Sequence, residues 1–281
     1  MAILLDGFSL AQKVRSELKD KIASLNSTPS LAVILVGDDP ASQVYVGGKE
    51  KAAAEVGINS IVKHLSKNIS EGELLNEIKL LNEAQSVDGI LVQLPLPDGI
   101  DVHKIISAID PKKDVDGFHP INAGLLSIGK PSLIPCTPKG IMRLLSEYSL
   151  EISGKNAVVI GRSNIVGKPI SQLLLAANAT VTVCHSKTAN LSQAAKNADI
   201  LIAAIGRPRY VKAEFIKEGA VVVDVGMNRL EGKLCGDVDF ESVSPLASAI
   251  TPVPKGVGPM TIAMLLENTC EAHVSRKTIW S

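Results

Sequence analysis

The chain has 281 residues, of which 46% are hydrophobic, 21% charged and 3% aromatic. Its 29 basic and 29 acidic residues cancel, which argues against a nucleic-acid-binding surface, and no apolar run approaches the length of a membrane span. The four cysteines are too widely spaced for a zinc knuckle or a redox pair, and the acidic Asp6 comes too early for a secretory leader. We therefore expect a soluble, cytoplasmic protein that binds neither nucleic acid nor membrane.

Short runs rich in β-branched residues alternate with helical patterns along the chain. The runs are continuously apolar, which is typical of strands buried on both faces of a sheet. The pattern predicts strands at 31–37, 89–95, 156–161, 180–185, 198–206 and 220–226. It predicts helices at 42–56, 71–83, 166–177, 192–197, 212–217 and 261–276. This alternation indicates an α/β protein with largely parallel sheets.

A change in composition between Asp110 and Pro138 suggests a domain boundary. Proline, glycine, aspartate and lysine collect there, and a new strand–helix series starts at Asn156. We predict a first domain at 1–137 and a second at 138–260. The sheet of the second domain is already complete before the terminal helix, so we expect residues 261–281 to return to the first domain.

The segment VVIGRSNIVGKP at 158–169 has the outline of a dinucleotide-binding turn. Gly161 and Gly167 frame it, but Ser163 stands where the usual middle glycine would be. Ser163 is small, and its hydroxyl can cap the helix that follows. An ordinary strand-to-helix turn is the alternative, because such turns are common. The order of strand, turn, helix and strand favours nucleotide binding.

The end of the following strand, VTVCHSKT at 181–188, predicts which nucleotide binds. It carries no acid to hold a ribose 2′-hydroxyl, whereas a basic side chain, Arg162, lies in the turn itself. A carboxylate would repel a 2′-phosphate, while guanidinium, ammonium and hydroxyl groups would hold one. We therefore predict NADP as the cofactor. The predicted cofactor-binding residues are Gly161, Arg162, Ser163, Val166, Gly167, His185, Ser186, Lys187 and Thr188.

Several longer segments carry a family resemblance. They include VGDDPASQVYVGGKEKAAAEVGI at 36–58, GILVQLPLP at 89–97, KDVDGFHPINAGLL at 113–126 and ITPVPKGVGPMTIAMLLENT at 250–269. With the 158–169 turn, they resemble bacterial bifunctional methylenetetrahydrofolate dehydrogenase/methenyltetrahydrofolate cyclohydrolases. The resemblance implies NADP-dependent oxidation of 5,10-methylenetetrahydrofolate, followed by hydrolysis to 10-formyltetrahydrofolate. It also implies two α/β domains flanking a cleft, the second a Rossmann-like NADP-binding domain with a mostly parallel sheet, and a homodimer.

The resemblance also implies a set of catalytic residues. Tyr45 and Lys49 form a Y-x-x-x-K motif, which helical spacing places on one face. Lys49 would be the central acid and base, and Tyr45 would stack on or bond the folate ring. Gln93 would hold Lys49 in orientation, and the carboxylate of Asp116 would accept two hydrogen bonds from the pterin. Without the motif, Tyr45 and Lys49 would be interpreted as a surface pair.

The loop TPVPKGVGP contributes two further substrate-binding residues by the same resemblance, Gly258 and Pro259. Lys255 in this loop departs from the family pattern, which has glycine at that position. If the backbone there needs a positive φ, a lysine is strained. If it does not, Lys255 adds a positive charge near the expected folate site.

Three acids, Asp224, Asp237 and Asp239, are candidate metal ligands when each is considered alone. No histidine is spaced to join them, so we interpret them as turn, cap and sheet-end residues and expect no metal. The segment 228–237 predicts a hairpin around Glu231 and Gly232.

Two other functions fit parts of this pattern. A different two-domain NADP dehydrogenase, acting on shikimate or an amino acid, would not need the Y-x-x-x-K motif with a strand-end glutamine. A non-catalytic NADP-binding sensor would keep the 158–188 site but lose Lys49 or Gln93. Both residues are present.

Overall fold

The computed structural model describes residues 2–130 and 132–278. The strands are β1 (Ile3–Leu4), β2 (Ser30–Val36), β3 (Asn59–Leu65), β4 (Gly89–Val92), β5 (Asn156–Ile160), β6 (Thr180–Cys184), β7 (Ile200–Ala203), β8 (Val221–Asp224), β9 (Asn228–Leu230), β10 (Lys233–Cys235) and β11 (Ala249–Ile250). The helices are α1 (Gly7–Ala23), α2 (Pro40–Val56), α3 (Glu71–Glu83), α4 (Val102–Ala108), α5 (Pro120–Ser127), α6 (Cys136–Glu147), α7 (Gly167–Ala176), α8 (Leu191–Ala195), α9 (Phe240–Val243) and α10 (Val257–Thr278). The alternation confirms the predicted α/β class.

The chain divides into two compact units. One consists of Lys13–Cys136 together with the residues from Ile262 onward, and we call it the three-stranded unit. The other consists of Thr137–Thr261 together with the residues up to Gln12, and we call it the six-stranded unit. None of the helices in residues 2–130 and 132–278 is both long and apolar enough to cross a bilayer.

The three-stranded unit is built on a parallel sheet in the order β3-β2-β4. The central strand β2 is buried along its whole length, which explains its uninterrupted apolar sequence. The strand predicted at 89–95 is shorter, because β4 ends at Val92 and Gln93 is the first residue beyond it. The strand β3 was not predicted. It lies at the edge of the sheet, half exposed, and its polar side chains break the apolar run.

The six-stranded unit has a wholly parallel sheet in the order β1-β11-β8-β7-β5-β6. Buried residues such as Val158, Leu201 and Val222 form its core. The predicted domain ranges stay a prediction, but the sheet includes β1, which the sequence had placed in the first domain. Ile3 pairs with Ala249 across more than 240 positions, so no local pattern reveals this strand.

Two local predictions in this unit have opposite outcomes. The hairpin is confirmed, because Leu230 pairs with Lys233 and the two turn residues have φ values of 49° and 78°. Positive φ at both positions is what a tight hairpin turn requires. The helix predicted at 212–217 is wrong. Only Ala213–Phe215 form a single 3-10 turn, because Ile216 returns to an extended backbone and both Phe215 and Ile216 are buried in the core.

Candidate active site

The helix α2 positions the Y-x-x-x-K motif. Asp39 caps its start by accepting a hydrogen bond from the Ser42 amide at 2.7 Å, and Gly57 ends it with a left-handed φ of 84°. Tyr45 therefore lies one turn before Lys49 on the same face, with 42% of its surface exposed.

Lys49 is held at the carboxyl edge of the three-stranded sheet. Its Nζ donates a hydrogen bond to Gln93 Oε1 at 2.9 Å, and Gln93 Nε2 donates to the Leu94 carbonyl at 2.6 Å. Because the second bond occupies the amide N–H, the glutamine presents its oxygen to the lysine. Two residues far apart in the sequence are thus brought together in the orientation that the resemblance implied, and their catalytic roles stay predictions.

Asp116 belongs to the loop that follows α4. Burial raises the pKa of its carboxyl to about 6, the ammonium of Lys49 opposes that rise, and the negative charge of Asp114 adds to it. Gly117 after it has a φ of 73°, and a Cβ there would lie 2.5 Å from the Pro135 nitrogen. The loop therefore requires glycine at this position.

The neighbouring Asp114 is a structural residue. Its Oδ2 accepts hydrogen bonds from the His119 amide at 2.8 Å and from Asn122 Nδ2 at 2.9 Å. The carboxylate thereby closes the loop that carries Asp116 and joins it to the start of α5.

The turn at 161–167 is as tight as a dinucleotide-binding turn. A Cβ at Gly161 would lie 2.2 Å from the Ala204 carbonyl oxygen, and a Cβ at Gly167 would lie 2.2 Å from the Gly161 carbonyl oxygen. Ser163 Oγ accepts hydrogen bonds from the amides of Val166 and Gly167 at 3.2 and 3.3 Å. The serine hydroxyl therefore satisfies the first amide of α7, although the N-cap residue of that helix is Val166.

A cavity of about 240 Å³ opens at the carboxyl edge of the six-stranded sheet. Four of the predicted cofactor-binding residues line it: Gly161, Arg162, His185 and Ser186. The glycine turn, the guanidinium and the hydroxyl suit an anionic dinucleotide. The other five predicted residues, Ser163, Val166, Gly167, Lys187 and Thr188, are not among the lining residues.

Lys187 and Thr188 instead shape the turn after β6. The Lys187 amide donates to His185 Nδ1 at 3.1 Å, and Thr188 Oγ1 accepts a hydrogen bond from the His185 amide at 2.9 Å. These bonds fix the imidazole of His185, whose Nδ1 is the acceptor, so that its Nε2 is the nitrogen left for another contact.

Among the lining residues that were not predicted, Arg207 and Tyr210 carry polar side-chain groups. They follow β7, which neighbours β5 in the sheet, and parallel strands end at the same edge. The strand order that brings this loop to the cavity is a property of the tertiary structure. The one available signal was the position of GRPRY directly after a buried strand.

Asp224 and Asp237 have structural roles, whereas the side chain of Asp239 makes no capping hydrogen bond to the helix that follows it. Asp224 Oδ1 and Oδ2 accept backbone hydrogen bonds from Gly226, Asp237 and Val238, each at 2.9 Å. Asp237 is fully buried and likewise binds backbone amides, and Asp239 precedes α9. Within residues 2–130 and 132–278, no group of three His, Cys, Asp or Glu side chains is placed to hold a metal.

The backbone of the loop before α10 is strained at Lys255, as expected for a lysine with a positive φ. Lys255 adopts a φ of 85°, which residues other than glycine rarely take. Its carbonyl accepts a hydrogen bond from the Phe8 amide at 3.0 Å. Gly258 and Pro259 lie in the first turn of α10, where a Cβ on Gly258 would approach Met227 Cε at 3.2 Å.

Comparison with known proteins assigns this architecture to a class of nucleotide-dependent enzymes. The family model of the tetrahydrofolate dehydrogenase/cyclohydrolase catalytic domain matches residues 5–116, and that of its NAD(P)-binding domain matches residues 135–277. A relative from Halalkalibacterium halodurans, Bifunctional protein FolD, is 58% identical over 274 residues, covering 96% of this chain and 98% of the relative.

Solved structures agree. The bifunctional FolD methylenetetrahydrofolate dehydrogenase/cyclohydrolase from Campylobacter jejuni is 54% identical with a TM-score of 0.96, over 98% of this chain and 100% of that one. The Trypanosoma brucei dehydrogenase-cyclohydrolase, complexed with NADP and an inhibitor, is 38% identical with a TM-score of 0.93, over 98% of each chain. This chain belongs to the tetrahydrofolate dehydrogenase/cyclohydrolase family, which sets aside the alternative of a dehydrogenase from another family.

Proposed function

We propose that Lys49, oriented by Gln93, is the acid and base that this enzyme uses. The chain is a bifunctional enzyme of folate one-carbon metabolism. It oxidises 5,10-methylenetetrahydrofolate to 5,10-methenyltetrahydrofolate with NADP⁺ and hydrolyses that product to 10-formyltetrahydrofolate. The observation that carries the assignment to Lys49 is its 2.9 Å hydrogen bond to Gln93 at the carboxyl edge of the sheet, where open α/β folds bind ligands.

The hydrolytic step requires proton transfer at one carbon. Bound NADP⁺ supplies the hydride acceptor for the preceding oxidation. In hydrolysis, water adds to the methenyl carbon while Lys49 takes a proton from it. The resulting adduct has a hydroxyl on the carbon between N5 and N10. Lys49 then relays the hydroxyl proton to N5 as the C–N5 bond breaks, which leaves the formyl group on N10 and releases one proton overall.

Asp116 would anchor the pterin ring. The ring presents a 2-amino group and an adjacent N–H side by side, and an ionised carboxylate accepts a hydrogen bond from each. Tyr45, one turn from Lys49, would pack on or bond the same ring. A Cβ at Gly47 would have no protein atom within 4 Å, so protein packing does not require glycine there.

The cofactor is NADP. We assign its binding to the turn at 161–167 and to the cavity beyond it, with Arg162 and Ser186 facing the 2′-phosphate and His185 beside the adenosine. Gly258 and Pro259 would contact the folate or the nicotinamide. These assignments are supported by the two glycines whose Cβ atoms the fold excludes and by the basic and hydroxyl groups of the cavity.

Two further features are proposed from the family resemblance and the composition. The chain would work as a homodimer, which sedimentation of the purified protein tests directly. It would act in the cytoplasm, where a reducing environment suits four buried cysteines: Cys136, Cys184, Cys235 and Cys270.

The test of the Lys49 assignment is Lys49→Ala with Lys51→Ala as its matched control. Lys51 is an exposed lysine of the same helix. General acid–base catalysis contributes about 10²- to 10⁴-fold, so Lys49→Ala should slow hydrolysis of methenyltetrahydrofolate by at least about 100-fold. Lys51→Ala should leave it unchanged. Methenyl absorbance reports hydrolysis, and NADPH formation from 5,10-methylenetetrahydrofolate reports oxidation. Unchanged hydrolysis in Lys49→Ala would remove this lysine from the mechanism.

A further inference from the structure

The loop after β7 holds a second arginine at the nucleotide cavity. Arg207 lines the same 240 Å³ cavity as Arg162 and Ser186, but it comes from a different strand end. The next arginine of this loop, Arg209, lines two other cavities and not this one. The cavity therefore has two guanidinium-bearing residues among its lining, and only one of them belongs to the glycine turn.

The backbone of this loop is held by one buried carboxylate. Asp237 Oδ2 accepts hydrogen bonds from the amides of Ile205 at 2.7 Å and Gly206 at 3.0 Å, and Oδ1 accepts from the Arg207 amide at 2.8 Å. Asn228 Nδ2 donates to the same Oδ1 at 2.9 Å. Three consecutive backbone amides are thus bonded to one buried side chain, which fixes the Cα position of Arg207.

The side chain of Arg207 is also supported. Its guanidinium carbon lies 4.8 Å from the centre of the Tyr210 ring, within range of a cation–π contact. Tyr210 in turn makes an edge-to-face contact with Phe215, with ring centres 5.8 Å apart, and Phe215 is buried in the core. Stacking uses the face of the guanidinium and leaves its N–H edge for a ligand.

The charge of the ligand explains why a second guanidinium is useful. A phosphate monoester carries about −1.5 to −2 charges at pH 7 and has three acceptor oxygens. One guanidinium and one hydroxyl neutralise only part of that charge. The ribose of NAD has only a hydroxyl in this place, so it gains nothing from a second cation.

We propose that Arg207, stacked on Tyr210, is a specificity-determining residue that binds the 2′-phosphate of NADP together with Arg162. The proposal rests on the proposed function in that it takes NADP to occupy the 240 Å³ cavity. Tyr210 is a positioning residue, because it acts through the guanidinium that it supports.

The test compares Arg207→Gln with Arg209→Gln, a matched control from the same loop. Kinetics are measured with NADP⁺ and with NAD⁺ at saturating 5,10-methylenetetrahydrofolate. Arg207→Gln should raise KM for NADP⁺ about 10- to 100-fold, as expected for the loss of hydrogen bonds to a charged group, with kcat within twofold. KM for NAD⁺ should stay within twofold. Arg209→Gln should leave both KM values unchanged, and circular dichroism should show both variants folded.

Other outcomes would overturn the proposal. An equal rise in KM for NADP⁺ and NAD⁺ would mean that Arg207 contacts the adenine or the pyrophosphate. No rise, or the same rise in Arg209→Gln, would remove Arg207 from recognition. Calorimetric binding of 2′,5′-ADP and 5′-AMP gives a readout that needs no turnover. Arg207→Gln should weaken only 2′,5′-ADP, even in the case where the wild-type protein showed no enzymatic activity and the proposed function failed.

Discussion

The ionisation of the Asp116 carboxyl depends on its burial and on two neighbouring charges. The carboxyl lies close enough to Lys49 and Asp114 for both charges to affect its pKa, and burial, to which Asp114 adds, outweighs the opposing charge of Lys49. A pterin anchor must be ionised to accept two hydrogen bonds, whereas burial favours the neutral acid. The enzyme's use of folate should therefore depend on pH in the range where this carboxyl titrates.

We expect kcat/KM for 5,10-methylenetetrahydrofolate to fall about tenfold per pH unit below pH 6. The pKa of Asp116 is raised to about 6, so the free enzyme loses its ionised anchor as the pH drops through that value. The measurement is kcat/KM between pH 5 and 8 at saturating NADP⁺. Asp116→Asn should be less active but should lack this acidic limb. An acidic limb that persists in Asp116→Asn would assign it to another group.

The helix α3 is held at both ends by side chains. At its start, Ser70 Oγ accepts a hydrogen bond from the Glu73 amide at 3.2 Å, and Glu73 Oε2 accepts one from the Ser70 amide at 2.8 Å, forming a capping box. At its end, Lys113 Nζ donates to the carbonyls of Leu81, Asn82 and Ala84 at 2.7–3.0 Å. Helix ends leave such carbonyls unpaired, so the lysine joins α3 to the loop of Asp116.

Because of Lys113, the free energy of unfolding should depend on pH in the alkaline range. Its side chain is 1% exposed, and burial, with a smaller contribution from Arg276, lowers its pKa to about 8, against the opposing charges of Asp110 and Asp88. Between pH 8 and about 10.5 the unfolded chain then binds more protons at this position than the folded one. The cost of burying the charge is therefore relieved as the pH rises, and this group's contribution to stability increases.

The check is urea unfolding of the wild-type protein and of Lys113→Met at pH 7.5, 9 and 10. Methionine has a similar length and does not titrate. The free energy of unfolding of the wild type, relative to the variant, should increase from pH 7.5 to pH 10. A difference that is constant with pH would show that Lys113 stays protonated throughout the range.

Distant parts of the chain meet in the three-stranded unit at one buried ion cluster. Asp88 Oδ2 pairs with His273 Nδ1 at 2.8 Å and accepts a hydrogen bond from the Ser30 amide at 3.0 Å. Its Oδ1 pairs with Arg276 at 3.0 Å, and Ser27 Oγ lies 3.0 Å from His273 Nε2. The cluster joins α10 to the beginnings of β2 and β4, so it ties the C-terminal helix to this unit.

We expect Asp88→Asn to destabilise the protein by about 3 kcal/mol, because removing one partner of a buried pair leaves the other uncompensated. Glu83→Gln is the matched control. Its ion pair with Lys79 spans 3.9 Å with both side chains more than 60% exposed, and such pairs contribute about 0–1 kcal/mol. Denaturant unfolding followed by circular dichroism measures both. If the two variants are equally stable, the cluster does not hold α10.

The fold was predictable where burial leaves a local signal. The runs at 156–161 and 220–226 lie at the strands β5 and β8, whose burial keeps these segments apolar, whereas the run at 180–185 lies at β6, an edge strand that is mostly exposed and not buried as predicted. The strands β1 and β3 gave no such signal, because one has two residues and the other is a half-exposed edge. In the candidate site, the turn at 161–167 could be recognised from its two glycines. Gly167 is required by a contact with the backbone of Gly161, and Gly161 by a contact with Ala204, which follows the neighbouring strand of the sheet.

The amino-acid sequence alone determined the α/β class, the family resemblance, the NADP cofactor and the residue types of the site, because these depend on local composition and on motifs. The tertiary structure decided which residues meet. It placed Lys49 against Gln93, gave Lys255 its positive φ, and put Arg207 in the lining of the same cavity as Arg162, while Lys187 and Thr188 make local hydrogen bonds. Such contacts depend on strand order and on pairing over long sequence separations, which periodicity and spacing do not encode.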